Sequence, residues 1–597
     1  MSFKIESADL SLSKVFQDFY TVPDFQREYV WERENVEQLL QDTMDALVES
    51  DGQIAVDNEY FIGSIVVSHG KQNVFQLIDG QQRLTTCYLI LCVVRDILTE
   101  AGEKVPAWLE NQIAATSMDV YGDDVFRYRL TLQYEDSDDV LAKIASEDGP
   151  ENDEIPRQTK SVQHLLTAYD VIREFFRVNL DDNPKRIKAF SSVLTQNVKL
   201  IRILTPDLSQ ALKVFETIND RGVGLNAMDL LKNLLFINLK PQDYPVLKDQ
   251  WKALIDTLEA SAEKPLRFLR YFVLANYTID SSKPLREDQI YGWLASNHAE
   301  TGIASDALGF VYKLLENAQA YLRYSRSENS NGQPNVYLRN LATFNGQSRQ
   351  HYVLLMAGRH LPEDAFSYLT QHLENLLFCY TITRTPAKYL EGNLTSWSVD
   401  IRAAKSLEDV RSFVSSHITP ELRAKSNDFD FAILNLDQHR IQQYRIRYIL
   451  AKLTQYINLL AWSNAEDRNL GKFLDKSVHV EHILSWTPDA SLPNAFDQPE
   501  RYDEYKIKLG NLTLLEQAIN TAISNGQYEK KREGYAKSQY LLTRSIFEKP
   551  QVGVNTKYDQ AVSLLPQFEQ WNSAAIEQRQ RALKDLARKT WGMPTTN

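Results

Sequence analysis

Apolar residues recur at helical spacing over most of this chain and alternate with polar ones in only a few short runs. Glu34 to Leu47 carries Val36, Leu39, Leu40, Met44 and Leu47 at steps of three and four, which predicts an amphipathic helix. Two β-rich runs follow, EYFIGSIVVS from Glu59 and NVFQLIDG from Asn73, and the turn residues His69, Gly70 and Lys71 between them predict a strand pair. The second run stops at Asp79-Gly80. There QQRLTTCYLILCVVRDIL begins, with Leu84, Cys87, Tyr88, Leu91, Val94 and Leu98 on one helical stripe. From Glu135 to Arg157 the chain is acidic and turn-rich, and DSDD and EDGPENDEIP read as solvated loops. Helical spacing returns at Ser161 to Val178, and a strand is expected at Asn197 to Leu204.

Residues 240 to about 440 read as helices almost throughout, with loop compositions near Ser281 and Arg326 and no internal repeat of fixed length. Their Phe, Tyr and Leu stripes read as core. Another helical stretch, Gln442 to Trp462, leads into VHVEHILSWTP. Val478, Val480, Ile483 and Leu484 predict a strand, Leu509 to Leu515 a second one, and Gln517 onward a helix. The pattern as a whole is a multidomain α+β chain, mostly helical, divided at about 1–240, 241–440 and 441–597.

Length and composition narrow the class. At 597 residues the chain is too long for one core, and two to four domains are expected. Hydrophobic content of 43% fits a folded protein throughout, while a formal net charge of -13 argues against a surface coated with cations for indiscriminate DNA binding. Cys87, Cys92 and Cys379 each sit in an apolar helical pattern, so neither a disulfide framework nor a thiolate metal site is expected. The opening MSFKIESADLSLSKVF has no apolar signal region and no segment reaches membrane-spanning length; a cytoplasmic protein is expected.

The strand–loop–strand–helix stretch carries a set of side chains suited to phosphodiester hydrolysis. Glu481 and Asn520 are oxygen donors for a divalent cation such as Mg2+, and His482 can take a proton from water near neutral pH. Asn511 is placed to pin the hairpin through backbone groups and to orient the imidazole. Neighbouring strand residues face opposite ways, so Glu481 and His482 share a site only if the strand bends or ends there. His479 with His482 makes no site by itself. This stretch resembles the HNH nuclease domain at the C-terminus of the GmrSD-type, modification-dependent (type IV) restriction enzymes. The likeness rests on an acidic residue before His482, on GNLTLL, and on Asn520 standing nine positions after Asn511 (520 minus 511). It implies a ββα-metal unit in which Glu481 and Asn520 are metal ligands, His482 is the general base and Asn511 a structural residue. SWTP follows the His where the family more often has Pro directly.

Near the other end, IDGQQR resembles the ParB-like nucleotide-binding motif of the same family, and FQREYVW upstream places Gln26, Arg27, Tyr29 and Trp31 at the family's positions. The resemblance implies an α/β domain that binds and hydrolyses a nucleoside triphosphate with Asp79, Gly80, Gln81, Gln82, Arg83, Thr85, Gln26, Arg27 and Asn219. Free N–H groups at a helix start attract phosphate, Gly80 admits close approach, and Arg83 one turn in offers a charged fork. A capped helix after an Asp-Gly turn is the plain structural reading of the same residues. The partners implied are NTP and double-stranded, modified phage DNA, with no membrane; a homodimer stays open. Lys530, Lys531 and Arg532 form a local basic cluster for phosphate, and Tyr29 and Trp31 offer rings to a flipped base. Two other functions fit the same motifs: a nucleotide-switched DNA-binding regulator with an inactive HNH fold, and an intracellular nuclease toxin.

Overall fold

The structure is a computed structural model describing residues 5–595 apart from 24–25, 27, 46, 51–52, 57–58, 71–73, 119–121, 134–136, 147–158, 208–209, 213, 215–226, 280–284, 347, 489–491, 524–525, 550–552 and 554. The chain is mostly helical, and it divides into two compact units, Met1–Lys252 with Tyr291–Val311, and Ala253–Ile290 with Tyr312–Asn597. No helix among the described residues is long and apolar enough to cross a membrane.

The first unit is built on a six-stranded mixed sheet. Its elements in chain order are β1 (Glu6–Ser11), β2 (Phe19–Val22), α1 (Arg33–Asp45), β3 (Tyr60–His69), β4 (Val74–Asp79), α2 (Gln81–Glu100), β5 (Leu130–Leu132), α3 (Ser137–Ala145), α4 (Lys160–Leu180), α5 (Pro184–Gln196) and β6 (Val198–Thr205). The strand order is β1-β6-β3-β4-β2-β5. β3 and β4 are antiparallel, as the turn between them predicts, while β6 runs parallel to β3, and β4 and β5 run parallel to β2. Parallel neighbours need helical crossovers, and α2 is the helix that leaves β4. Gly80 makes the junction at φ +84, and a Cβ there would lie 2.5 Å from Ile65 Cγ2, so no other residue fits without strain.

α2 is buried more completely than its expected stripe. Leu84, Cys87, Tyr88, Leu91, Val94 and Leu98 are in the core, and so are Leu89, Ile90, Cys92, Val93 and Ile97 on the other side. A helix apolar all round is a central helix. Its one buried ion pair, Arg95 with Asp96, is satisfied by further bonds: Tyr169 Oη donates to Asp96 at 2.7 Å and Arg95 donates to Ile144 O at 2.9 Å. That second bond comes from α3, in a stretch read above as a solvated loop. The DSDD segment starts a helix because Val140, Leu141 and Ile144 fall on one face and are buried, which outweighs the acidic first turn.

Among the described residues the second unit is helical apart from one hairpin and two isolated β bridges. The elements that position the site are α6 (Glu363–Ile382), α7 (Gln443–Trp462), β7 (Val478–His482), β8 (Leu512–Glu516), α8 (Gln517–Ile523), α9 (Tyr528–Tyr535) and α10 (Ser573–Thr590). α6 and α7 are joined through buried Glu374, which accepts from Tyr448 Oη at 2.7 Å and pairs with Lys452 at 2.8 Å. Trp591, just past α10, is fully buried and stacks on Phe378 of α6 with ring centroids 3.6 Å apart. The expected order of strand, loop, strand and helix is present, with two shifts. β7 stops at His482 instead of running through Leu484, and Leu509–Asn511 form a 3-10 turn ahead of β8. All three cysteines are buried and unbridged, and burial raises the Cys87, Cys92 and Cys379 thiols to about 12.

Candidate active site

β7 and β8 pair antiparallel from Val478↔Glu516 to His482↔Leu512. The hairpin is locked at its loop end by Asn511, which is fully buried. Its main-chain carbonyl accepts from Ile483 N at 3.0 Å, and its side-chain oxygen accepts from Leu484 N at 2.6 Å and Trp571 Nε1 at 2.9 Å. Its amide nitrogen donates to Leu484 O at 3.0 Å and Lys506 O at 2.9 Å. The whole hydrogen-bonding capacity of the amide is used, and all of it goes to structure. α10 secures the same turn, since buried Arg579 donates to Gly510 O at 2.8 Å and Leu512 O at 2.7 Å, while Gln580 bonds to Gly510 N. Burial lowers the Arg579 guanidinium to about 10.

Because strand residues alternate, the hairpin presents two different chemical faces. Glu481 and His479 share one. There Glu481 is buried, with Lys531 Nζ 2.7 Å and Tyr535 Oη 2.9 Å from the same carboxylate oxygen. Lys531 also donates to His482 O at 2.7 Å. Asn520 on α8 places its side-chain nitrogen 3.2 Å from His479 Nδ1. His482 points to the other face, where its Nε2 lies 2.8 Å from Gln438 Oε1 and its ring 5.0 Å from that of Trp486. Trp486 is exposed, and Lys506 Nζ sits 4.9 Å from its ring centroid. Partial burial, then the Lys531 and Lys506 ammoniums, lower the His482 imidazole to about 4, so it is neutral at pH 7 and has one nitrogen lone pair to offer.

The structure therefore separates Glu481 from His482, and it sets Asn520 against His479 and not against Glu481. Asn511 pins the hairpin as expected, through backbone groups, but the bonds it makes do not include the imidazole. A divalent cation at Glu481 does not fit this arrangement, because the carboxylate already carries an ammonium at contact distance in a buried place. Among the described residues no three His, Cys, Asp or Glu side chains come together as a metal cluster.

In the first unit the IDGQQR residues hold the backbone. Asp79 Oδ1 accepts from Gly80 N at 2.8 Å, and Gln82 takes Val30 N and Glu28 O, each at 2.9 Å. Arg83 donates to Ile62 O at 2.6 Å and Ser64 O at 2.9 Å, and it passes so close to Gly63 that a Cβ there would lie 2.0 Å from its Nη1. Gln81 and Thr85 are buried. The Arg83 guanidinium is thus a clasp on β3 and not a free fork. Gln26 is different: it is buried, and its side-chain nitrogen has no hydrogen-bond partner among the described residues. Arg27 and Asn219 lie outside the described residues.

Of the residues expected to meet DNA, Tyr29 is in the core with its hydroxyl 2.7 Å from Thr86, and Trp31 packs partly buried on the same core. Lys531 is buried on Glu481, so it presents no charge to phosphate. Arg532 is half-buried, donates to Glu569 O at 3.3 Å and lies 4.6 Å over the Phe547 ring. Lys530 is exposed.

Two family models match the chain: the GmrSD restriction endonuclease N-terminal domain over residues 9–236, and the GmrSD restriction endonucleases C-terminal domain over residues 424–586. The chain belongs to the GmrSD restriction endonuclease family. That family is one of restriction nucleases, whose substrate class is DNA. A search among curated proteins returned no match. The GmrSD C-terminal match contains the whole hairpin together with Gln438, Trp486 and Lys506, none of which was expected from the sequence. Gln438 reaches His482 from 44 positions upstream, so spacing carried no sign of it. His479 was visible through alternation, which puts it on the face of Glu481 and toward the helix bearing Asn520.

Proposed function

We propose that this GmrSD-family chain is a modification-dependent DNA endonuclease of anti-phage defence, with an HNH-type C-terminal unit that cuts and a ParB-like N-terminal unit that binds and hydrolyses NTP to regulate cutting. The observation that carries the reading is His482, held by Gln438 at a hairpin end beside an exposed tryptophan and a lysine. His482 takes a proton from water as its oxygen attacks phosphorus. One bridging P–O bond breaks, the departing oxygen takes a proton from solvent water to leave as an alcohol, and His482 returns its own to solvent. Lys506, which also pairs with Asp503 at 2.6 Å, brings its ammonium to the same side, within reach of a phosphate backbone. General-base assistance of this kind is worth about 10²- to 10⁴-fold in rate. Family resemblance alone implies Mg2+ at Glu481 and Asn520, and no step here runs through it, since Lys531 holds Glu481. At the N-terminal unit the buried side-chain nitrogen of Gln26, without a partner among the described residues, is the group that would donate to a nucleotide.

The pairing of Glu481 with Lys531 favours a second reading, a nucleotide-switched DNA-binding regulator that does not cut. Purified protein with Mg2+, with and without NTP, is incubated with unmodified and modified phage DNA beside the His482→Ala variant. Selective cutting that disappears in the variant establishes the nuclease. Nucleotide turnover with no cutting of any DNA establishes the regulator.

A further inference from the structure

Gln438 lies 40 residues before β7 (478 minus 438), yet its main chain is fastened to the segment that leads into β8. Gln438 N donates to Ile507 O at 3.1 Å, Leu509 N donates to Leu436 O at 3.0 Å, and Asp437 and Lys508 form an antiparallel bridge between these bonds. The short ladder fixes where the Gln438 side chain starts, and the side chain itself is buried. An amide can offer either an oxygen or a nitrogen to a neighbour. Here the oxygen lies 2.8 Å from His482 Nε2, and the nitrogen donates to Gln443 Oε1 at 3.3 Å. An oxygen there can only accept, so Nε2 must carry the hydrogen. In a neutral imidazole the lone pair then belongs to Nδ1. The Trp486 ring, 5.0 Å away and tilted by 43°, limits rotation of the imidazole about that bond.

We propose that Gln438 is a positioning residue that holds His482 in its Nε2–H tautomer, so that Nδ1 is the atom that takes the proton from the attacking water. The inference rests on the reading of His482 as general base. A neutral amide suits this role because it selects the tautomer without placing a negative charge beside the ring. The proton balance is simple. Nδ1 gains the proton that water loses, Nε2 keeps its own, and the hydrogen bond to Gln438 persists through the step.

The test uses the full chain labelled with ring-¹⁵N histidine, with the His482 signals assigned by their loss in His482→Ala. The parent is expected to show a pyrrole-type Nε2 and a pyridine-type Nδ1. Gln438→Met, which keeps length but removes the acceptor, is expected to average the two nitrogens and to lower kcat about 10- to 100-fold, with KM within about twofold. Gln438→Glu restores an acceptor, and it is expected to recover the Nε2–H signature and most of the rate. The other histidine signals report whether each variant is folded. Unchanged His482 ring signals in Gln438→Met, or a parent ring already mixed between tautomers, would overturn the proposal. If His482→Ala cuts DNA as the parent does, the general-base reading fails, and the ring signals still decide whether Gln438 sets the tautomer.

Discussion

Replacing Lys531 by methionine keeps an unbranched side chain, one heavy atom shorter, and removes its charge from the interior of the second unit. Both members of the pair are nearly inaccessible, with 1% of the Lys531 side chain and 8% of the Glu481 side chain exposed. The ammonium donates to Glu481 at 2.7 Å and to His482 O at 2.7 Å, so its loss strands a carboxylate and a carbonyl together. Tyr535 still donates to the carboxylate at 2.9 Å, but a hydroxyl does not neutralise it. Breaking a buried pair from one side costs about 3 to 5 kcal/mol, whereas an exposed pair is worth about 0 to 1 kcal/mol. Urea unfolding followed by tryptophan fluorescence measures the loss in the transition of the second unit. The double variant Glu481→Gln with Lys531→Met replaces the stranded charge by an amide that can still accept from Tyr535. It is expected to recover most of the loss, and the double-mutant cycle then gives a coupling of about 2 kcal/mol or more. A loss below about 1 kcal/mol in the single variant would show that the pair is hydrated in solution, and the argument that Lys531 keeps a cation from Glu481 would fall with it.

Two further stability predictions test the fold independently of activity. Burial, then Arg349, lowers the His351 imidazole from 6.5 to about 3, and its Nδ1 has no partner among the described residues. The folded state therefore refuses a proton that the unfolded chain accepts below its ordinary value. Stability is complete above pH 6.5 and falls as pH drops toward 3, by about 1.4 kcal/mol per pH unit at the steepest. His351→Phe should flatten that slope, and equal slopes for parent and variant between about pH 6.5 and 4.5 would refute the assignment. Gly80→Ala is expected to destabilise the first unit by about 1 to 3 kcal/mol, through its left-handed backbone and the contact with Ile65. A neutral result in thermal unfolding would mean that the turn at Asp79-Gly80 adopts another conformation.

Much of the element order is readable because burial leaves a periodic trace. The β3 to β4 to α2 succession and the hairpin before α8 follow from alternation, turn residues and helical stripes. Side-chain fate is harder to see, and Lys531 shows why. YEKKREGY looks like a solvated basic helix, yet Tyr528, Lys531 and Tyr535 stand at i, i+3 and i+7 and share one buried face. The spacing holds the information, but a lysine on that face is expected to reach solvent unless a buried carboxylate waits for it. Glu481 is that carboxylate, and it comes from a strand 50 residues away. The acidic DSDD helix escapes a sequence reading for the opposite reason: composition suggests a loop, while the few apolar positions after it decide the outcome.

The residues that make the two motifs recognisable are, for the most part, those that hold backbone in place. Asn511, Gln82 and Arg83 bond to main-chain groups remote in sequence, and Arg579 of α10 does the same beside the first motif. A site so assembled depends on side chains that bond carbonyls and amides of particular geometry, for which few residue types substitute. That requirement explains why GNLTLL and IDGQQR stand out in the sequence while the residues around the imidazole do not. A residue that faces substrate or orients the base needs only one correct atom in one place, and it can come from any loop that passes. Gln438, Trp486 and Lys506 come from three such stretches, converging on His482. The chemistry of the hairpin is therefore set less by the motif than by what the surrounding chain brings to its open face. Variants at those three positions should alter cutting while leaving the hairpin folded, whereas variants at Asn511 or Arg579 should lose both together.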